Sequence, residues 1–207
     1  AELSDCDLIV EAIVENMDVK NELFAELGGI AKESCIFASN TSSFSVAEMA
    51  AASGRPTRFV GLHFFNPVQL MRLVEVVRTK ETDDEVFAAA RAFGEACGKT
   101  AVSCKDTPGF VVNRILLPMI NEAIYTLYEG VGSVLAIDTA MKLGTRHPMG
   151  PLELTDLVGL DVRLSIAEYL HSELGEAFDP PQVLRDKVAA GDLGKKSGKG
   201  FYDWTDR

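Results

Sequence analysis

Residues 35–43 read CIFASNTSS, an apolar run of four followed at once by five polar residues, Ser39 to Ser43. A short strand that is apolar on both faces belongs to a parallel sheet covered by helices. The carboxyl ends of such strands are where doubly wound proteins bind ligands. Upstream, DLIVEAI (7–13) is a second buried-strand run, and between the two, Asn16 to Lys32 places Val19, Leu23, Phe24, Leu27 and Ile30 at helical steps of three and four. Downstream the pattern predicts a short helix from Val46 to Ala52, strands at RFVGLHFF (58–65) and RLVEVVRT (72–79), a helix from Asp83 to Cys97, and a last strand at TAVSCKD (100–106). This alternation of strand and helix predicts an α/β fold over 1–106, an incomplete doubly wound, Rossmann-like, largely parallel sheet.

After Asp106 the composition changes. Apolar segments of helical period are broken at Gly130, Gly132, HPMGP (147–151) and Gly159, with no strand pattern among them. PMINEAIYTLYEG (118–130) is strongly amphipathic, and PLELTDLVGLDVRLSIAEYLHSEL (151–174) reads as an interrupted helix. Residues 107–207 are therefore expected to form an all-helical second domain. Its Gly- and Lys-rich tail, DLGKKSGKGFYDW (192–204), reads as a loop whose three terminal aromatics must dock.

The chain has 207 residues, 47% of them hydrophobic, which is enough for one large or two small cores. Its apolar stretches stop short of the roughly 18 to 20 residues that span a bilayer, and no signal-peptide pattern opens it. A soluble cytoplasmic protein without membrane partners is expected. A net charge of −11 argues against a nucleic-acid partner, because phosphate binding draws on Lys and Arg. Cys6, Cys35, Cys97 and Cys104 form no CxxC pair, and His63, His147 and His171 show no ligand spacing, so no metal site and no disulfide are expected.

Three stretches carry chemistry. Five polar residues after Ala38 exceed what a helix cap requires, although Ser43, with Glu48 nearby, is the expected N-cap of the next helix. In FVGLHFFNP (59–67) a single His63 stands in an apolar strand, and pattern alone favours a structural role for it. Glu75, the one charge in LVEVV (73–77), alters that balance. A buried carboxylate is costly unless paired. An imidazole would satisfy it and gain a fixed tautomer, which is the logic of a general base. In KDTPGFVVNRILLP (105–118), Pro108 and Gly109 fix a turn before a helix carrying Asn113 and Arg114, at the expected domain boundary where ligands often bind. No GxSxG, P-loop or complete GxGxxG occurs; GVGSVL (130–135) lacks the third glycine and lies in the helical half.

Taken together, IVEAIVENMDVKNELF (9–24), FASNTSS (37–43), GLHFFNPV (61–68), LVEVV, SCKDTPGFVVNR (103–114), AMKLG (140–144), HPMGPLEL (147–154) and GKKSGKGFY (194–202) resemble the short-chain L-3-hydroxyacyl-CoA dehydrogenase family. The resemblance runs through essentially the whole chain. It implies that His63 is the catalytic base and Glu75 orients it, and that Ser42 and Asn113 hydrogen-bond the reacting oxygen. It implies Glu15, Lys20, Asn40 and Asn66 as cofactor contacts, with NAD as cofactor and NADP left open. The substrate would be an acyl-CoA, with 3-hydroxybutyryl-CoA expected, in fatty acid or butyrate metabolism. The helical domain would carry the interface of a homodimer.

The chain departs from the family in one respect. The Gly-rich strand-turn-helix that opens relatives and cradles the pyrophosphate precedes DLIVEAIVEN there, and no such stretch is present here. The expectation is a fragment with an exposed strand edge at DLIVEAI, prone to association. Two readings follow: an NAD-dependent dehydrogenase, or a non-catalytic remnant that dimerises and holds acyl-CoA weakly.

Overall fold

The structure is a computed structural model that describes residues 3–205. It divides into two compact units, Ala1–Val111 and Val112–Arg207. The division falls after Val111 rather than after Asp106, because the connecting turn is tied into the first unit. Gly109 N–H donates to the Ser43 carbonyl, Val111 N–H donates to Glu75, and the Phe110 ring joins the first core.

The first unit is a five-stranded sheet in the order β1 (Leu8–Glu11), β2 (Ile36–Ser39), β3 (Phe59–Phe64), β4 (Leu73–Arg78), β5 (Thr100–Lys105). Helices α1 (Met17–Ile30), α2 (Val46–Ala52) and α3 (Asp84–Ala96) lie between strands in the chain. The pairs β1–β2, β2–β3 and β4–β5 are parallel, while β3–β4 is antiparallel. No helix intervenes between Phe64 and Leu73, so the chain lacks the crossover that a parallel return needs and folds back on itself. That reversal sets the register that matters here: Gly61 lies opposite Val77 and His63 opposite Glu75.

Side chains alternate across the sheet. Phe37, Phe59 and Val77 face a core shared with Phe24, Leu27 and Met49 of the helices. Ala38, Val60, Leu62, Val74 and Val76 face the other, with Ala90. Gly61 is required between them, because a Cβ there would come within 2.7 Å of the Val77 Cβ. Helix α2 is capped by Ser45, whose hydroxyl accepts from Glu48 N–H, and not by Ser43. Ser43 lies too far upstream: its N–H faces the Thr41 hydroxyl in the preceding turn. The remaining first-turn donors of α2, Val46 and Ala47 N–H, are taken by the Asp106 carboxylate at 3.0 and 2.8 Å.

The second unit is helical: α4 (Val112–Tyr128), α5 (Val134–Thr145), α6 (Pro151–Val158), α7 (Leu160–Leu174) and α8 (Gln182–Ala189). The break between α6 and α7 falls at Gly159, whose φ of 108° favours glycine. Ile120, Ile124, Leu152, Leu160 and Leu184 form one core, and Leu117, Ile166, Leu170 and Phe178 a second. Two buried carboxylates hold the tail. Asp138 accepts from the N–H groups of Leu152 and Glu153 at the start of α6 and from the Tyr202 hydroxyl. Asp156 accepts from the N–H groups of Phe201 and Tyr202 and from the Trp204 indole. Tyr202 and Trp204 dock by their polar tips, and Phe201 by its backbone N–H and by packing against the first helical core. Among the described residues no helix is long and apolar enough to cross a membrane.

Candidate active site

His63 lies near the end of β3 and Glu75 on β4. Both are buried, and His63 Nδ1 is 2.7 Å from Glu75 Oε2. An ionised carboxylate only accepts, so the shared proton belongs to Nδ1, and the neutral ring is left with its lone pair on Nε2. The other carboxylate oxygen, Oε1, accepts the Val111 N–H at 3.0 Å. That donor is delivered by a strained turn. Gly109 and Phe110 both have positive φ, 74° and 50°, and the second is a conformation that an aromatic residue adopts only when its surroundings impose it. Here burial of the Phe110 ring, 5.7 Å from the imidazole, imposes it. Phe65 covers the ring at 4.3 Å between centroids.

A second cluster forms at the carboxyl ends of β1 and β2. Glu11, the last residue of β1, accepts from Lys20 Nζ, the Ser39 hydroxyl and Ile13 N–H, each at 2.6 Å. Lys20 also reaches Glu15 Oε2 at 3.2 Å. Glu15 Oε1 in turn accepts from the Thr41 hydroxyl, Ser42 N–H and the Ser42 hydroxyl at 2.6, 2.8 and 3.2 Å. Lys20 is thus buried between two carboxylates, and Glu15, partly exposed, fixes the turn that presents Ser42. Asn40 ties this turn to β3, its Oδ1 accepting Phe64 N–H at 2.8 Å. Asn66 is exposed in the connection after β3 and belongs to neither cluster.

Asn113 is in the second unit, buried in the first turn of α4, with its Oδ1 3.4 Å from Arg163 Nη1 of α7. Sequence reasoning missed Glu11, Asp106 and Arg163. Glu11 carried a usable signal, since it is a single carboxylate closing an apolar strand, as Glu75 is within one. Among the described residues no group of three or more His, Cys, Asp or Glu side chains is arranged to hold a metal.

A dehydrogenase cofactor can be tested against these donors. A nicotinamide carboxamide needs an acceptor for its NH2 and a donor for its oxygen. Glu15 and the Asn40 amide offer both at the carboxyl ends of adjacent parallel strands, so the residues fit the nicotinamide end. The turn from β1 to α1, Ala12–Asn16, contains no glycine of the kind that cradles a pyrophosphate.

Comparison with known proteins gives the class. The model of the 3-hydroxyacyl-CoA dehydrogenase NAD binding domain matches residues 1–107, and that of the 3-hydroxyacyl-CoA dehydrogenase C-terminal domain matches 109–204. The chain belongs to the 3-hydroxyacyl-CoA dehydrogenase family, whose members are NAD-dependent oxidoreductases. It is 55% identical over 204 residues to a probable 3-hydroxybutyryl-CoA dehydrogenase of Deinococcus radiodurans, covering 98% of this chain and 73% of that protein. It is 54% identical over 207 residues to the probable 3-hydroxybutyryl-CoA dehydrogenase of Bacillus subtilis, covering 100% and 72%. Among solved structures, FadB2 of M. tuberculosis superposes with a TM-score of 0.95 at 46% identity, covering 99% of this chain and 73% of that one. The (S)-3-hydroxybutyryl-CoA dehydrogenase of Ralstonia eutropha gives 0.92 at 47% identity, covering 96% and 71%.

Proposed function

We propose that this chain interconverts (S)-3-hydroxybutyryl-CoA and acetoacetyl-CoA, as a step of fatty acid or butyrate metabolism, with His63 as the general base. The observation that carries this reading is the His63–Glu75 pair, 2.7 Å apart and buried, which commits Nδ1 and leaves Nε2 to take a proton. In the oxidising direction the 3-hydroxyl gives its proton to Nε2 while the C3–H bond breaks with its electron pair, leaving a ketone. Bound NAD supplies the hydride acceptor. Glu75 stabilises the imidazolium that results, and in the reverse direction that imidazolium protonates the carbonyl oxygen. Ser42, fixed through Glu15, and Asn113 donate to the same oxygen as charge develops on it. Glu15 and Asn40 contact the nicotinamide half of the cofactor, Lys20 acts from behind Glu15, and Asn66, outside that cluster, is the fourth contact of this reading. The helical unit pairs with a second copy of the chain, a reading supported by its exposed apolar side chains Tyr128, Val131, Leu135 and Leu143.

The test follows NADH absorbance with acetoacetyl-CoA. His63→Ala and Glu75→Gln are each expected to lower kcat by about 10²–10⁴, with Glu75→Gln also changing the pH profile because the imidazolium loses its counter-charge. A Glu75→Gln chain that turns over like the wild type would remove the dyad from the mechanism. Light scattering tests the pairing, and a monomer at micromolar concentration would exclude it.

A further inference from the structure

We infer that Arg163 is a positioning residue that fixes the orientation of the Asn113 amide. The inference rests on the reading of Asn113 as a donor to the reacting oxygen. Arg163 is 5% exposed, and among the described residues no carboxylate lies within ion-pair distance of it. Its Nε has no hydrogen-bond acceptor. Burial holds its pKa down, to about 10, so the guanidinium is still charged at neutral pH. A buried cation with neither a counter-ion nor a complete set of acceptors opposes folding, and a well-packed apolar side chain in its place is often neutral or stabilising. Its presence in α7 therefore needs a reason other than stability.

Its neighbour supplies one. Nη1 lies 3.4 Å from Asn113 Oδ1, and both residues are buried within the helical unit. A guanidinium has only donors, whereas a carboxamide has an oxygen on one side and an NH2 on the other. Only one of the two amide orientations is compatible with the cation: the oxygen faces Arg163 and the NH2 turns away. A donor role for Asn113 requires that orientation. The 3.4 Å separation is long for a hydrogen bond, so the effect comes from charge acting on the amide dipole, at a site where low polarity strengthens it. The same field draws electrons toward the amide oxygen and makes the N–H groups better donors.

The test compares kcat and KM for acetoacetyl-CoA and NADH in four chains: wild type, Arg163→Met, Asn113→Ala and the double variant, with unfolding midpoints in urea. Arg163→Met is expected to lower kcat about tenfold, the rate equivalent of one hydrogen bond. Its KM values should stay within about twofold and its unfolding midpoint at or above that of the wild type. The double variant should be no slower than Asn113→Ala alone. Wild-type kcat in Arg163→Met, or losses that multiply in the double variant, would overturn the inference while leaving Asn113 in place. Wild-type kcat in Asn113→Ala would instead remove the reading of Asn113 itself. Should Arg163→Met fail to fold, Arg163→Leu takes its place with the same expectations, and failure of both to fold would show Arg163 to be structural and end the proposal.

Discussion

Among the described residues each unit of this protein buries one cation, and the two are handled in opposite ways. Lys20, 1% exposed, lies 2.6 Å from Glu11 and 3.2 Å from Glu15. Arg163, 5% exposed, has one long contact to an amide oxygen and an Nε without an acceptor. Removing either ion from water costs several kcal/mol. Two carboxylates offset that cost for Lys20 and at the same time bind the ends of β1 and β2 and the turn bearing Ser42. Nothing comparable offsets it for Arg163. A paired buried charge organises the structure around it, whereas an unpaired one is an electrostatic field held in place by packing, useful only to a neighbour whose dipole it can align.

The largest effect expected from this contrast is at Glu11. Glu11→Ala strands Lys20 with only the partly exposed Glu15 and leaves the Ser39 hydroxyl without its acceptor, and should cost about 3–5 kcal/mol in urea unfolding. Adding Lys20→Met should recover most of that loss, because the uncompensated charge goes with it. If Glu11→Ala lost less than about 1 kcal/mol, the cluster would be solvated in practice and its contrast with Arg163 would disappear.

A buried carboxyl group sharpens the comparison, because neutral donors satisfy Asp156. Three neutral donors, Phe201 N–H, Tyr202 N–H and the Trp204 indole, each lie 2.8 Å from its oxygens. Gly200 is close enough that a Cβ there would meet the carboxylate at 2.1 Å. Asp156→Ala should cost about 2–3 kcal/mol by leaving these donors unmet. Because Trp204 is the only tryptophan in the sequence, release of the tail should appear as a red shift of the protein's fluorescence before global unfolding. An unshifted spectrum would mean that packing of Phe201 and Tyr202, rather than the carboxylate, holds the tail.

These clusters also show what was legible in the sequence. The alternation of strands and helices in the first unit was readable because strands apolar on both faces and a helix of period 3.6 leave different marks, and the helical unit because it lacks the first mark altogether. His63 and Glu75 stood out as single polar residues in apolar strands, although their contact depends on a register that only the antiparallel return sets. Glu11 gave the same signal as Glu75 but was masked by the charges of EAIVEN that follow it. The cap of α2 was expected at Ser43 and falls at Ser45, since in a polar run the cap depends on where the helix begins. Asp106, which holds the first turn of α2, is 60 positions from Val46 and leaves no local trace. Arg163 in GLDVRLSIAEYL looks like any arginine on the wet face of a helix. Burial without a partner is a property of packing and is not written in spacing.

The smallest effect expected is chemical, and it carries the comparison to a group that avoids charge. Cys104, on β5 between the helix-capping Asp106 and the strand of Glu75, has carboxylates as its charged neighbours. Burial first, and then Glu75 and Asp106, push its thiol up to about 12. The nucleophile toward disulfide reagents and iodoacetamide is the thiolate, which at pH 8 is then only roughly 10⁻⁴ of Cys104. Lys20 has two carboxylates beside it and Arg163 an intrinsically high pKa, whereas a thiol with neither stays neutral. Cys97, exposed at the end of α3, should therefore be labelled first in the folded protein, with Cys104 unreactive until denaturant is added. Mass spectrometry of the partially labelled chain decides it. Early labelling of Cys104 would mean that β5 opens locally, so that the first unit protects its buried groups less well than the static sheet implies.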